Sequence, residues 1–305
     1  MSVDFHFLNV GSGDCTIIYF PKRTSNDGSS KDERIMVIDM CHDSESEYTN
    51  IVDYYKKYFS NADGTIKPIF RFVCTHPHQD HICGLNDFFS TKGISVTNFW
   101  DVEHEWEPDD FENHRTHEED WKFYKKLRKG EICKVLNYTS DTTASKYWDN
   151  GEDRITILNP SQDDIKKAHY TEDNEKRADI QIDEIAFALL IKINSRSVLL
   201  SGDGHSDPVW ERIYERYSKE ITNCSILKAG HHGQESSFHE KAVKLMNPEY
   251  IIFSNSADCD KKDGAESKYK KAAPNCKLYK TFKEGNIVIE VPFNKEKPLN
   301  IYSNN

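Results

Sequence analysis

The sequence is notable first for what it lacks. None of its 305 residues lie in an apolar run approaching the ~18 residues that a membrane-crossing helix needs. The opening "MSVDFHFLNV" has no basic segment leading into a long apolar one, so no export signal is expected. The eight cysteines (Cys15, Cys41, Cys74, Cys83, Cys133, Cys224, Cys259, Cys276) form no C-x-x-C pair and are too sparse for a disulfide scaffold. They read as thiols in a reducing compartment, and the expectation is a soluble, cytoplasmic protein without membrane association. Positive charge is also in deficit: 40 Lys and Arg face 51 Asp and Glu, for a net charge of -11. The field of the whole molecule therefore repels polyanions, which disfavours tight, sequence-independent coating of DNA. A local cationic site stays open, because bound divalent ions reverse the sign where they sit. No repeat and no domain boundary is evident, and the expectation is one domain over residues 1–305.

The mean hydropathy is low at -0.76, but aromatics make up 12% and supply buried area that the aliphatic count understates. Eleven strand-length apolar runs recur: "VDFHFLNV", "CTIIYF", "RIMVIDM", "IFRFVCT", "VTNFW", "RITILNP", "FALLIKI", "SVLLSGD", "CSILKAG", "YIIFSN" and "NIVIEV". Each is bounded by turn-forming residues. Helical patterns fall at 46–59, 118–130, 208–221 and 237–246. Strand-only stretches mixed with strand–helix alternation predict α/β layering, and this many strands need two sheets. The polar segment 24–34 reads as a hairpin-like connection, the acidic segment 101–114 as a long loop, and 169–184 as a mobile flap.

"CTHPHQDHICGL" places His76, His78, Asp80 and His81 within six positions after the apolar run "IFRFVC". Pro77 has no backbone donor, so the strand should end near Thr75 and leave the four side chains on a loop where they can converge. Imidazoles and a carboxylate are suitable ligands for zinc, iron or manganese. An exposed histidine-rich turn is the competing explanation, and four ligand-type side chains at one strand end argue against it. Two later runs end the same way: "SVLLSGDGH" puts Asp203 at a strand end, and "CSILKAGHHGQESS" ends in His231 and His232 flanked by glycines. Three such clusters in one chain carry more weight than any one.

In this order, "FLNVGSGDCTIIYF", "IMVIDM", "THPHQDH", "LLSGD" and "LKAGHHGQESS" resemble the metallo-β-lactamase fold superfamily, within it the branch that contains the nuclease-like domain of the DNA-uptake protein ComEC. The resemblance spans most of the chain. It implies a four-layer αββα sandwich with two divalent ions, zinc or manganese, along one edge of the sheets. Carried over by motif, His76 and His78 would bind the first ion, Asp80 and His81 the second, and Asp203 both. A histidine of the pair would complete the second site, with His231 favoured and His232 as the alternative ligand or an acid. No motif marks the third ligand of the first ion. His104 is the choice, with His114 and His117 close behind in the same acidic loop. His6, His42, His169, His205 and His239 read as non-ligands. Two departures stand out: His78 occupies a position that is often aspartate in this branch, and Cys41 replaces the glycine of the usual Asp-x-Gly after Asp39.

Two adjacent divalent ions activate water and stabilise the oxygens of a displacement, so hydrolysis follows, with Asp80 placed to orient the attacking water. Lys228, three residues before His231, is expected to favour a phosphoryl group, which points to a phosphodiesterase or nuclease acting on nucleic acid or a nucleotide. The alternative is hydrolysis of a carboxylic ester, thioester, lactone or amide by the same centre. A diiron redox protein is disfavoured, since neither extra acidic ligands nor a flavin domain is evident. No protein partner is marked by the sequence.

Overall fold

The computed structural model describes residues 1–25, 28–42, 47–91, 93–108, 116–143, 148–149 and 151–304. His114 and the acidic stretch 109–114 lie outside the described residues.

All eleven apolar runs form strands, because each alternates or saturates with β-branched and aromatic residues that pack well on a pleated surface. Among the described residues they build two large sheets. In the first, eight strands run in the order Asn300–Asn304, Asn286–Pro292, Ser2–Phe7, Thr16–Phe20, Arg34–Ile38, Ile69–Val73, Val96–Asp101, Lys134–Asn137. Pairing is antiparallel as far as Arg34–Ile38 and parallel beyond it. The second has six, in the order Asp153–Asn159, Ala188–Ile193, Arg196–Ser201, Ile226–Lys228, Tyr250–Phe253, Lys277–Lys280, antiparallel up to Arg196–Ser201 and parallel after it.

Three apolar layers follow from this arrangement. Phe5, Phe7, Ile18, Trp100, Phe187, Leu200 and Ile252 meet between the two sheets. Ile51, Tyr55, Phe72, Leu85, Phe88 and Tyr124 join the outer face of the first sheet to helices Ile51–Tyr58, Leu85–Ser90 and Glu118–Arg128. Leu190, Leu199, Trp210, Ile213, Val243 and Tyr269 do the same for the second sheet and helices Glu211–Ile221, Glu240–Met246 and Glu266–Ala272. Helix, sheet, sheet and helix stack in that order, the four-layer αββα sandwich.

The polar segment after Phe20 does form a short hairpin, Arg23–Thr24 with Ser30–Lys31. The segment 169–184 is pinned where it ends: a 3-10 turn, Ile182–Ile185, packs Ile182 and Ile185 into the core between the sheets. Among the described residues, no helix is long and apolar enough to cross a membrane.

The two sheets converge at one edge. Phe187 N–H donates to the Thr75 carbonyl across the gap at 3.1 Å, and Gly202 N–H donates to the Phe187 carbonyl at 2.9 Å. A Cβ on Gly202 would lie 2.8 Å from Thr75 Cβ and Oγ1, so only glycine allows the strand ends this close. The carboxyl ends of strands Arg34–Ile38, Ile69–Val73, Arg196–Ser201 and Ile226–Lys228 all open at that edge. Open parallel sheets commonly place their sites there.

Candidate metal centre

Strand Ile69–Val73 stops two residues before Thr75, and Pro77 keeps the following backbone out of the ladder. A single helical turn, Gln79–Ile82, then swings Asp80 and His81 back beneath the strand end. Strand Arg196–Ser201 delivers Asp203 through the close approach at Gly202. Strand Ile226–Lys228 delivers the histidine pair, both in the left-handed region at φ 47° and 57°, followed by Gly233 at φ 83°. A left-handed histidine is uncommon, and strained backbone of this kind concentrates at functional sites.

One ligand atom each from Asp14, His81, Asp203 and His232 fall within 4.8 Å of one another, all four residues buried. His76, His78 and Asp183 make a second such group. The groups meet at Asp203 Oδ2, which lies 3.2 Å from His81 Nε2, 3.4 Å from His232 Nε2 and 3.9 Å from His76 Nε2. Asp80 Oδ2 stands 3.2 Å from His232 Nε2 and 4.0 Å from His81 Nε2. In the second group, Asp183 Oδ1 is 3.2 Å from His78 Nδ1 and 3.5 Å from His76 Nε2.

Surrounding groups aim the rings. Asp39, itself left-handed at φ 58°, accepts from Thr75 N–H at 2.7 Å, from the Thr75 hydroxyl at 2.8 Å and from His81 Nδ1–H at 2.9 Å. His232 Nδ1–H donates to the Ser254 carbonyl at 3.0 Å. Both contacts hold Nδ1 away from the cluster and turn Nε2 toward it, the arrangement that lets a neutral histidine take a cation. His81 Nε2, Asp14 Oδ1, Asp183 Oδ1 and Asp203 Oδ1 are buried with no hydrogen-bond partner, and burying polar atoms in that state is costly.

The electrostatics point the same way. Burial by itself would push His81 and His232 toward the neutral form, yet Asp203, with Asp39, Asp80 and Asp14 around it, holds both well above the ordinary histidine range. Burial pushes Asp203 up, and His81 and His232 outweigh it, leaving the carboxyl well below the usual carboxylate range. His76 is driven well below its usual value by burial, then by His81 and His78. Carboxylates from Asp14, Asp39, Asp80, Asp183 and Asp203 thus crowd one small volume. Nitrogen and oxygen donors, buried acceptors without partners and an excess of negative charge fit divalent metal ions of the zinc, manganese or iron type.

Some expected residues sit elsewhere. His104 is not brought to the cluster: its Nδ1 accepts from Trp106 N–H at 3.1 Å and its Nε2 lies 2.7 Å from the Tyr124 hydroxyl, which donates to Asp101 at 2.6 Å. With both ring nitrogens engaged, it braces the wall of a neighbouring cavity of about 500 Å³ that Arg128, His169 and Tyr170 also line. His117 is exposed beside Asp120 and Cys83, another grouping of metal-capable side chains. Asp183, and not His104, stands beside His76 and His78. Of the histidine pair, His232 points into the cluster, and His231 Nε2 is 3.8 Å from Asp203 Oδ2 with its Nδ1 2.6 Å from Ser236 Oγ.

Lys228 does not face an open cleft. It is buried, with Nζ 2.6 Å from Asp14 Oδ2 and 3.3 Å from the Ser201 carbonyl. Burial pushes the Asp14 carboxyl up, and Lys228 and His232 bring it below its usual value.

Asp14 and Asp183 escaped sequence reasoning. Asp14 lies in the "GSGD" turn, which reads as hairpin punctuation, and its carboxylate reaches the cluster because Asp14 N–H donates to the Asp80 carbonyl at 3.0 Å. Asp183 sits in a polar stretch with no motif. Its one sequence signal is its place just before the strand run "FALLIKI".

No protein-family model matches the sequence, and no curated protein is similar to it. Solved structures are. Igni18, described as a novel metallo hydrolase from the hyperthermophilic archaeon Ignicoccus hospitalis, aligns over 95% of this chain and 100% of its own with a TM-score of 0.53 at 14% identity. Zn(2+)-bound PqqB from Methylobacterium extorquens aligns over 90% and 97% with a TM-score of 0.47 at 8% identity. CmlA, a diiron β-hydroxylase from Streptomyces venezuelae, aligns over 90% of this chain with a TM-score of 0.45 at 12% identity, and the chain spans about half of its length, 49%. Identities this low speak to architecture and not to activity. The likeness to Igni18 is one of fold, and that fold is the four-layer αββα sandwich of the two sheets and their outer helices.

Proposed function

We propose that the chain is a metal-dependent hydrolase built on two divalent ions, with phosphodiesters of nucleic acid or a nucleotide as substrate. One observation carries the metal reading: two donor groups stand side by side, Asp203 Oδ2 of one lying 3.9 Å from His76 Nε2 of the other, and buried donor atoms of both groups have no hydrogen-bond partner. His76, His78 and Asp183 would hold one ion and Asp80, His81 and His232 the other, with Asp203 between them and Asp14 beside the second. When bound, such a pair of ions supplies nucleophilic water at neutral pH and stabilises negative charge on the oxygens of a displacement.

The protein's own groups set the rest. Asp80, with its side chain 40% exposed, stands at the open side, where it can orient a water and accept its proton. His231 and His205 flank the same opening with their rings stacked 5.5 Å apart, near enough to donate to a leaving oxygen. Trp106 packs edge-on against His78 at 5.5 Å and remains partly exposed, a surface on which a nucleobase could stack. Lys228 acts from beneath: it keeps Asp14 ionised inside the cluster and does not touch substrate.

That placement is also the observation that favours the second reading. With Lys228 committed to Asp14, no ammonium among the described residues of the cluster is reserved for phosphoryl oxygens, and a carboxylic ester, thioester, lactone or amide suits the same chemistry. The test is turnover of bis(p-nitrophenyl) phosphate and a labelled single-stranded oligonucleotide against a thioester and lactone panel, with zinc or manganese supplied. Phosphodiester turnover lost in Asp203→Asn is the expected result. Turnover of the carbonyl panel only would overturn the substrate assignment, and no metal uptake would overturn the whole reading.

A further inference from the structure

Cys41 and Cys83 lie outside the cluster around Asp203, although Cys83 also stands near His117 and Asp120, and the two sit side by side beneath that cluster. Residues Met40 and Cys41 pair with Ile82 and Cys83 in parallel bridges. Paired residues on adjacent strands stand about 4.8 Å apart with side chains on the same face, inside the ~4.4–6.8 Å Cα separation that a disulfide accepts. The Cys83 thiol stays over this pairing, donating to the carbonyl of His42, the residue after Cys41, at 3.7 Å. His42 N–H donates to the Cys83 carbonyl at 2.8 Å, which locks the two turns in this register. Gly13 packs so closely on Cys41 that an added Cβ would lie 2.5 Å from its Cβ and Sγ, so the thiol cannot swing that way. Both cysteines are partly exposed, whereas Cys15, Cys74 and Cys224 are buried.

We propose that Cys41 and Cys83 form a reversible disulfide, a redox-sensitive modification site that ties the turn after Asp39 to the turn carrying Asp80 and His81. The oxidant is a hydroperoxide. One sulfur attacks the terminal peroxide oxygen, the O–O bond breaks, and hydroxide (or alkoxide from an organic hydroperoxide) leaves and takes up a proton, with the first sulfur oxidised to a sulfenic acid. The second sulfur attacks that sulfur, the S–O bond breaks, and the departing hydroxide takes up the thiol proton as water. Two thiols and one hydroperoxide give one disulfide, one water and one molecule of water or alcohol.

The two sulfurs must come to about 2.05 Å apart when they bond. The pull reaches the metal-binding residues on both sides. Asp39 accepts from His81 on one side, and on the other Gly13 rests on Cys41 while Asp14 N–H holds the Asp80 carbonyl. The disulfide itself stands on the pairing geometry; its effect on the site rests on the two-ion reading.

The experiment oxidises the reduced full chain with hydrogen peroxide and maps its peptides without reduction. The expected result is a Cys41–Cys83 linked peptide that dithiothreitol dissolves and that Cys41→Ser and Cys83→Ser each abolish, with zinc bound about tenfold more weakly in the oxidised form. Cys41 and Cys83 oxidised singly, or still open to alkylation when Cys133, Cys259 and Cys276 have reacted, would overturn the proposal. A linked peptide with zinc affinity unchanged would establish the bond and overturn its coupling to the site. A linked peptide in a protein that takes up no zinc in either form would leave the disulfide standing and defeat the two-ion reading.

Discussion

Replacing Asp39 by asparagine tests the site through a residue that no substrate touches. The Asp39 carboxylate accepts three hydrogen bonds, from Thr75 N–H, the Thr75 hydroxyl and His81 Nδ1–H. An amide fits the same space, and its oxygen must stay on Thr75 N–H, because that backbone donor has no substitute nearby. The amide NH2 then replaces Oδ2. The Thr75 hydroxyl can rotate to accept from it, but His81 Nδ1 now meets a donor, and the ring must shift its proton to Nε2. That nitrogen is the one aimed at Asp203 from 3.2 Å without a hydrogen bond, and a protonated Nε2 cannot hold a cation. Partners that orient a metal-bound histidine are worth about 10–100-fold in affinity, or about 1.4–2.7 kcal/mol. The expected outcome for Asp39→Asn is a zinc Kd raised by that factor, measured by chelator competition, with an unchanged far-ultraviolet circular dichroism spectrum. A folded variant that binds zinc within twofold of the parent protein would refute both the tautomer argument and the role of His81.

Asp183→Ala should lower zinc stoichiometry while His104→Ala leaves it intact, as read by elemental analysis of both proteins; the reverse pattern would return the third ligand to His104. Lys228→Met leaves the buried Asp14 carboxylate without its cation, and removing one partner of a buried pair costs about 3–5 kcal/mol. Urea unfolding in the presence of a chelator should show that loss. Asp164 is buried against Arg212 at 3.2 Å and Arg216 at 2.6 Å, and it caps helix Gln162–His169 through Ser161. Burial raises its carboxyl and Arg216 with Ser161 more than offsets that, leaving it below the usual range. A depressed carboxyl stabilises the fold above its unfolded value of about 3.9 and loses that contribution as the pH falls through the folded value. Asp164→Asn should therefore cost about 2 kcal/mol at neutral pH, Arg216 being 37% exposed, and the gap to the parent protein should narrow below about pH 4.

The strands were legible because each is a local apolar run that needs burial wherever the chain takes it. Helices were less so. Gln162–His169 went unread, since its pattern of Asp, Lys and His carries apolar residues only at Ile165 and Ala168. The strands Lys134–Asn137 and Lys277–Lys280 are polar edge strands whose pairing comes from neighbours and not from their own composition. Within the site, His76, His78, Asp80, His81, Asp203 and the histidine pair were marked by strand-end clustering. The choice between His231 and His232 was invisible in "GHHG", because it depends on two left-handed residues and on the carbonyl of Ser254, 22 positions away.

The sequence by itself determined the layering of strands and helices and the presence of three ligand-bearing strand ends, since apolar periodicity and residue chemistry are local properties. The tertiary structure decided which atoms share a volume. It brought Asp183 to His78 from a stretch without a motif, buried Lys228 on Asp14 from the far end of the chain, turned His104 toward Tyr124, and set Cys41 against Cys83. Each of these is a contact between distant segments, fixed by how two sheets close on each other, and no spacing within one segment encodes it.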